Sequence, residues 1–228
     1  MNIPAQVATR DGSSTLFHPE CRELYNCHGG AMTCSRVIYL QNSGVLARFD
    51  KQIPTKILEV GFGTSLNFVL TADAAIEANC PIFYTALEQH LLDVETLRGL
   101  GHEAYLRHPN FNEQLFSYLQ APDVGTSETD LGNGIAFRLR LGDATEMSFP
   151  KESFDAVYLD PFSPENNPDL WNRGFIERLY HTMRPGARLT TYSVKGTLRR
   201  MLKEIGFTVE KRRGVPGKRE VLVAIRGG

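Results

Sequence analysis

The sequence predicts an α/β fold built on a mostly parallel sheet of seven strands that ends in an antiparallel hairpin. Three observations predict it. From Lys56 onward, strand-like apolar runs alternate with helix-period segments. Runs such as Ala156-Val157-Tyr158-Leu159 are apolar throughout, which suits strands covered on both faces. The last two strand-like runs are joined only by Gly214-Val215-Pro216-Gly217, so they pair antiparallel at a sheet edge.

In chain order, the first fifty residues precede the sheet and mix short apolar runs with turn residues. Positions 16–44 are expected to form an accessory hairpin or cap over the site, or else to pack on the sheet edge. Gly29-Gly30 is a break, and Arg36-Val37-Ile38-Tyr39-Leu40 begins a strand or helix. Strands are then predicted over 56–60, 82–87, 135–141, 154–159, 188–194, 207–211 and 220–225, and helices over 65–78, 90–100, 111–119, 170–182 and 196–205. The stretch 121–134, rich in Asp, Gly, Ser and Thr, reads as a surface loop. The domain reading is an accessory segment at 1–50 and one α/β domain at 51–228.

A length of 228 residues suits one domain with a core that needs no staples. No run approaches the roughly 18 apolar residues of a membrane span, and the polar first residues lack a signal peptide's core. The reading is therefore a cytoplasmic protein with no membrane partner. The cysteines Cys21, Cys27, Cys34 and Cys80 form no C-x-x-C pair and read as reduced thiols. With His18 and His28, three of them could meet a metal, but the spacings fit no familiar zinc site, and none is expected.

The segment Ile57 to Asn67, with Gly61-Phe62-Gly63 between a strand and a helix, is the centre of the chain. Glycine lets the backbone turn sharply and approach a ligand, and the helix start offers free N–H groups. A dinucleotide site would want a third glycine where Leu66 stands. Glu59 precedes the turn, and Glu88 ends the next strand, where an acid can accept from both hydroxyls of a ribose. This pattern resembles the S-adenosylmethionine site of class I methyltransferases. Asp143-Ala144 follows the third strand, where the acid could accept from an adenine amino group and the neighbouring N–H could donate to the ring. Asp160 follows the fourth strand and faces the reacting end, with Phe162 as an apolar wall in a loop stiffened by Pro161 and Pro164.

A more specific resemblance rests on Ile57 to Asn67, on Leu159-Asp160-Pro161-Phe162-Ser163-Pro164-Glu165-Asn166-Asn167-Pro168-Asp169-Leu170-Trp171, on Tyr192-Ser193-Val194-Lys195-Gly196 and on Lys218-Arg219-Glu220. Together they are similar to the methyltransferase domain of the tRNA wobble-uridine enzyme MnmC and its stand-alone counterpart MnmD. The resemblance implies a Rossmann-like class I methyltransferase fold over 51–228 and N-methylation of 5-aminomethyl-2-thiouridine in tRNA with S-adenosylmethionine. It implies Gly61, Gly63, Asn67, Glu88 and Asp143 as cofactor contacts and Asp160 as the residue that meets the amine. The chain departs from the family at Ser65, where a glycine is usual, and at Cys34, where an acid is frequent. No second nucleotide motif is present for a flavin oxidase, so another enzyme is expected to supply the aminomethyl substrate.

Charge distribution fits an RNA partner. From Lys195 onward there are ten Lys or Arg against three Glu, a surplus of seven that leaves −8 in the remainder of a chain of net charge −1. Segregated basic charge is the footprint of phosphate binding. Lys195, Lys211, Arg212, Arg213, Lys218 and Arg219 are the candidate substrate contacts. Two other readings remain: a small-molecule amine methyltransferase or polyamine aminopropyltransferase-like enzyme, and a non-catalytic RNA-binding module.

Overall fold

Alternation along the strands decides which side of the sheet each residue covers. Ile57 belongs to one buried cluster, and its neighbours Leu58 and Val60 belong to the other. The computed structural model describes residues 4–123, 128–215 and 218–228. Their elements are β1 (Ala5–Ala8), β2 (Ser14–His18), β3 (Glu23–Leu24), α1 (Ala31–Ser35), α2 (Val45–Phe49), β4 (Thr55–Val60), α3 (Leu66–Glu77), β5 (Ile82–Glu88), α4 (Val94–Gly99) and α5 (Phe111–Gln120). They continue as β6 (Thr129–Asp130), β7 (Ile135–Leu141), β8 (Phe154–Leu159), α6 (Arg173–Thr182), β9 (Met183–Thr191), α7 (Gly196–Ile205), β10 (Phe207–Val215) and β11 (Lys218–Arg226).

The main sheet has the order β10-β11-β9-β8-β4-β5-β7-β6. Its five central strands are parallel, and β11, β10 and β6 run against their neighbours. The seven predicted strands and the terminal hairpin are all present. The eighth strand, β6, has two residues and lies in the stretch read as a loop, of which 124–127 fall outside the described residues. β9 begins five residues before the predicted strand, because Pro185 and Gly186 sit in a register shift against β8 rather than in a preceding loop.

Helix starts also move. Asp93 caps α4 by accepting from the Thr96 N–H, so His90 to Leu92 stay outside the helix. Asn172 caps α6 through the Phe175 N–H, after a short 3-10 turn at Pro168–Trp171.

The first fifty residues divide in two. β1, β2 and β3 form a small antiparallel meander. The remainder is helical, with a π-helical stretch at Arg36–Gln41 continuing α1. Ala31, Ile38, Tyr39, Val45 and Phe49 share the buried cluster of Ile57 and Phe68, so this part covers one face of the sheet beside α3 and α5. α6 and α7 cover the other face.

From β4 the chain proceeds outward through β5 to β7 and then returns to β8 on the opposite side of β4. Connections that diverge from adjacent strands leave a crevice at the carboxyl ends. Gly61 leaves β4 there, and Asp160 leaves β8.

Candidate active site

The tight turn after β4 has a steric reason. Gly61 has φ 88, and a Cβ there would stand 2.6 Å from the Asp160 carbonyl oxygen. Only glycine fits where the two loops pass this closely. Its neighbour Ser65 also sits in the left-handed region, with φ 61, at the start of α3. That explains why a glycine suits the position, and the Ser65 side chain costs about 1–2 kcal/mol there.

The turn opens onto a cavity of about 880 Å³ at the carboxyl edge of the sheet. Gly61, Gly63, Asn67, Glu88, Asp143, Ala144, Asp160 and Phe162 all line it. Glu59 does not. It is fully buried behind Asn67, with Oε1 accepting from Asn67 Nδ2 at 2.9 Å and Oε2 accepting from the Tyr84 hydroxyl at 2.8 Å. The reason is the strand period, which turns Glu59 toward Tyr84 and α3.

Asp160 is held at both oxygens. Asn67 Nδ2 donates to Oδ2 at 2.8 Å, and the Tyr39 hydroxyl donates to Oδ1. Burial, the Asp160 charge and this bond push the Tyr39 phenol well above its ordinary range, so it remains a donor. Glu88 accepts the Gly63 N–H at 2.9 Å with Oε2, and the Gln89 and His90 N–H groups at 2.9 Å each with Oε1. Asp143 accepts the Thr145 N–H at 2.7 Å, and its bonds to Thr145 hold its carboxyl below the usual range.

The meander forms the opposite wall. Glu23 accepts the Ser163 N–H at 3.0 Å and also bonds the Ser163 hydroxyl and the Asn166 amide. Asn26 accepts from the Thr64 hydroxyl beside the glycine turn at 2.9 Å. Tyr25 meets Phe162 edge-on at 5.0 Å, and His18 meets it at 5.3 Å. Such edge-to-face rings are a favoured aromatic geometry. Tyr39, Glu23 and Tyr25 were not singled out as site residues by the sequence reading, and His18 was weighed there only as a metal ligand. Each lies before the first sheet strand, far from any motif.

Seven carboxylates line the cavity, from Glu20, Glu23, Glu88, Asp93, Asp143, Asp160 and Asp169, and no Lys or Arg does among the described residues. This chemistry suits a cation. Two histidines, His18 and His90, are also present, but among the described residues no three or more His, Cys, Asp or Glu side chains are placed to hold a metal ion together.

The basic candidates are elsewhere. Lys195 is paired with Glu165, and Arg212 with Glu210. Lys211 is paired with Glu220 at 2.6 Å. The side chains of Arg213, Lys218 and Arg219 lie outside the described residues. In register, Lys211 pairs with Leu222, Leu222 with Thr191, Thr191 with Leu159 and Leu159 with Val60. The hairpin beyond Lys211 therefore projects past the same edge as the cavity, with β10 roughly 14 Å from β8 across three strand spacings. α7 leaves that edge as well. None of the ion pairs among the described residues involves its Arg199, Arg200 or Lys203.

A sequence profile of S-adenosyl-L-methionine-dependent methyltransferases matches residues 108–227, more than half of the chain. The chain belongs to that methyltransferase family. Among similar proteins, the tRNA 5-methylaminomethyl-2-thiouridine biosynthesis bifunctional protein MnmC of Aromatoleum aromaticum is 32% identical over 223 residues. The alignment spans 96% of this chain and 35% of that protein. The MnmC of Burkholderia multivorans is 31% identical, with 97% and 35% covered. The methyltransferase chain thus spans about a third of the length of these relatives. The crystal structure of MnmC2 from Aquifex aeolicus superposes with a TM-score of 0.79 at 26% identity, covering 98% of this chain and 70% of that one. Spermidine synthase from Thermotoga maritima, at 12% identity and a TM-score of 0.54, shares the fold alone.

The resemblance to MnmC is therefore borne out, and with it the cofactor class. The residues present fit S-adenosylmethionine. The cofactor has a sulfonium, an ammonium and one carboxylate, and so one net positive charge, and the cavity lining is acidic.

Proposed function

We propose that this methyltransferase N-methylates the aminomethyl group of a wobble uridine, 5-aminomethyl-2-thiouridine, in tRNA. The observation that carries the reading is Asp160, a carboxylate fixed at both oxygens beside the glycine turn in an acidic cavity. S-adenosylmethionine supplies an electrophilic methyl group on a good leaving group. Gly61 and Gly63 bring backbone close to its methionine end, Glu88 takes ribose hydroxyls, and Asp143 and Ala144 flank the adenine. Glu88 has four lone-pair sites, and three are engaged by backbone N–H groups. Ribose binding therefore competes with the Gly63 bond or shares its oxygen.

Asp160 accepts an N–H of the substrate amine, aims the lone pair and stabilises the cation that develops. The amine arrives mostly as ammonium, so a proton must leave through Asp160 to water before transfer. Phe162, Tyr25 and His18 form the wall on the meander side, which makes residues 1–50 part of the substrate site. The hairpin basics and α7 take phosphates at the same edge. The setting is cytoplasmic, and a separate enzyme makes the aminomethyl uridine.

Nucleoside mass spectrometry of tRNA bearing 5-aminomethyl-2-thiouridine, after incubation with protein and S-adenosylmethionine, tests this reading. A gain of one methyl on that nucleoside is expected. Methylation of free polyamines with the 5-aminomethyl-2-thiouridine tRNA left untouched would replace it with the small-molecule reading.

A further inference from the structure

Glu59 is outside the cavity, yet it anchors the network that the cavity exposes. It is fully buried near the end of β4. The Asn67 amide gives one N–H to Glu59 and the other to Asp160, and the Tyr84 hydroxyl holds the far oxygen of Glu59. The Asn67 Oδ1 is buried with no hydrogen-bond partner. An unpaired buried acceptor is costly, so the amide keeps this orientation only because its NH₂ faces two acids. Turned over, its oxygen would face both carboxyl groups.

We propose that Glu59 is a positioning residue, which through the Asn67 amide fixes where the Asp160 carboxylate stands in the cavity. The chain of contacts runs from the rigid centre of the sheet outward: Tyr84 on β5, Glu59 on β4, Asn67 on α3, then Asp160. The titratable groups facing Glu59 are Tyr84 and Glu88 from β5, Tyr158 from β8, Asp160 beyond it and Tyr39 from the π-helical stretch. All are phenols or acids. Burial pushes the Glu59 carboxyl well above its ordinary value, and the Asp160 charge adds to the rise. With a proton on Oε2, Glu59 still accepts the Asn67 amide on Oε1, and the Tyr84 bond reverses so that Glu59 donates to the phenol oxygen, without placing a second anion beside Asp160. Glutamine can do the same. Alanine cannot.

The test uses the full chain with Glu59→Gln, Glu59→Ala and Tyr84→Phe. Its activity readout rests on the substrate proposed above, and its other two readouts do not. With S-adenosylmethionine affinity measured by calorimetry, Glu59→Ala is expected to keep affinity within about threefold while kcat falls about 10- to 100-fold. Glu59→Gln should restore kcat to within about threefold of the wild type. In urea unfolding, the wild-type midpoint should fall relative to Glu59→Gln as pH rises above 4.5, the ordinary value of the carboxyl. Above that pH the unfolded chain loses a proton that folded Glu59 retains, so stability declines until the raised folded value is passed.

Loss of cofactor affinity in Glu59→Ala with kcat unchanged would make Glu59 a ligand residue and overturn the proposal. So would wild-type kcat in a folded Glu59→Ala. If that variant does not fold, unchanged kcat in Tyr84→Phe overturns it. A pH-independent difference between wild type and Glu59→Gln overturns the neutral state. If the wild type methylates no RNA, the substrate reading falls, and affinity with pH-dependent unfolding still decides Glu59.

Discussion

The Tyr39 hydroxyl donates to Asp160 although 121 residues separate them. Tyr39 reaches the site because the π-helical stretch that carries it lies on the face of the sheet beside α3. The bond leaves one Asp160 oxygen on Tyr39 and the other on Asn67. Removing the hydroxyl in Tyr39→Phe leaves the ring and its packing in place. A hydrogen bond to a charged group contributes about 1.5–3 kcal/mol, so kcat should drop by about tenfold or more. Steady-state kinetics with unchanged cofactor affinity by calorimetry checks this, and unaltered kcat would show that Asn67 alone suffices.

Asp160→Asn keeps the shape and removes the charge. Cofactor affinity and folding should be retained, while methyl transfer slows by about 10²–10⁴. The wild-type rate should rise with pH through the neutral range as more of the amine loses its proton. Near-normal single-turnover rates in Asp160→Asn would reduce the residue to a turn former.

Glu88→Gln retains one acceptor oxygen but turns an NH₂ toward at least one of the three backbone N–H groups that now point at the carboxylate. The variant should bind S-adenosylmethionine about 10- to 100-fold more weakly, through loss of charged hydrogen bonds. Titration calorimetry on the folded variant reads this directly. Unchanged affinity would take Glu88 out of the ribose site.

The basic hairpin is less exposed to a partner than its charge implies, because Lys211 and Arg212 are ion-paired within it. α7 offers Arg199, Arg200 and Lys203. Replacing those three with Ala should flatten the dependence of log tRNA affinity on log salt by about 0.7–0.9 per lost phosphate contact. Replacing Lys211 and Arg212 should change the slope less. Equal slopes for both sets would mean that the hairpin pairs open on binding.

Much of the fold was legible, since apolar runs such as Ala156 to Leu159 and the glycine turn at Gly61 are local signals. The alternation of strand and helix pointed to a mostly parallel sheet, while the order of strands about β4 is set by long-range pairing and was not read from the sequence. Glu59 was misplaced because an acid before a glycine turn reads as a ligand residue, and only the strand period shows which way it points. Tyr39 and Glu23 could not be read at all. Their partners are Asp160 and Ser163, more than a hundred residues away, and no spacing rule encodes such a meeting. The start of β9 was missed because Pro185-Gly186 reads as a loop unless the facing β8 is known.

Glu23 joins Ser163 across 140 residues of chain. A link of that length made in an open chain carries about 4 kcal/mol of closure entropy from its length alone. Once β4 and β8 are paired, that loop is already short and the link forms at little cost. The meander wall is therefore expected to assemble after the sheet and to open before it. In hydrogen exchange, the Ser163 amide held by Glu23 should lose its protection before the Asp160 amide, which is bonded to the Val60 carbonyl in the sheet.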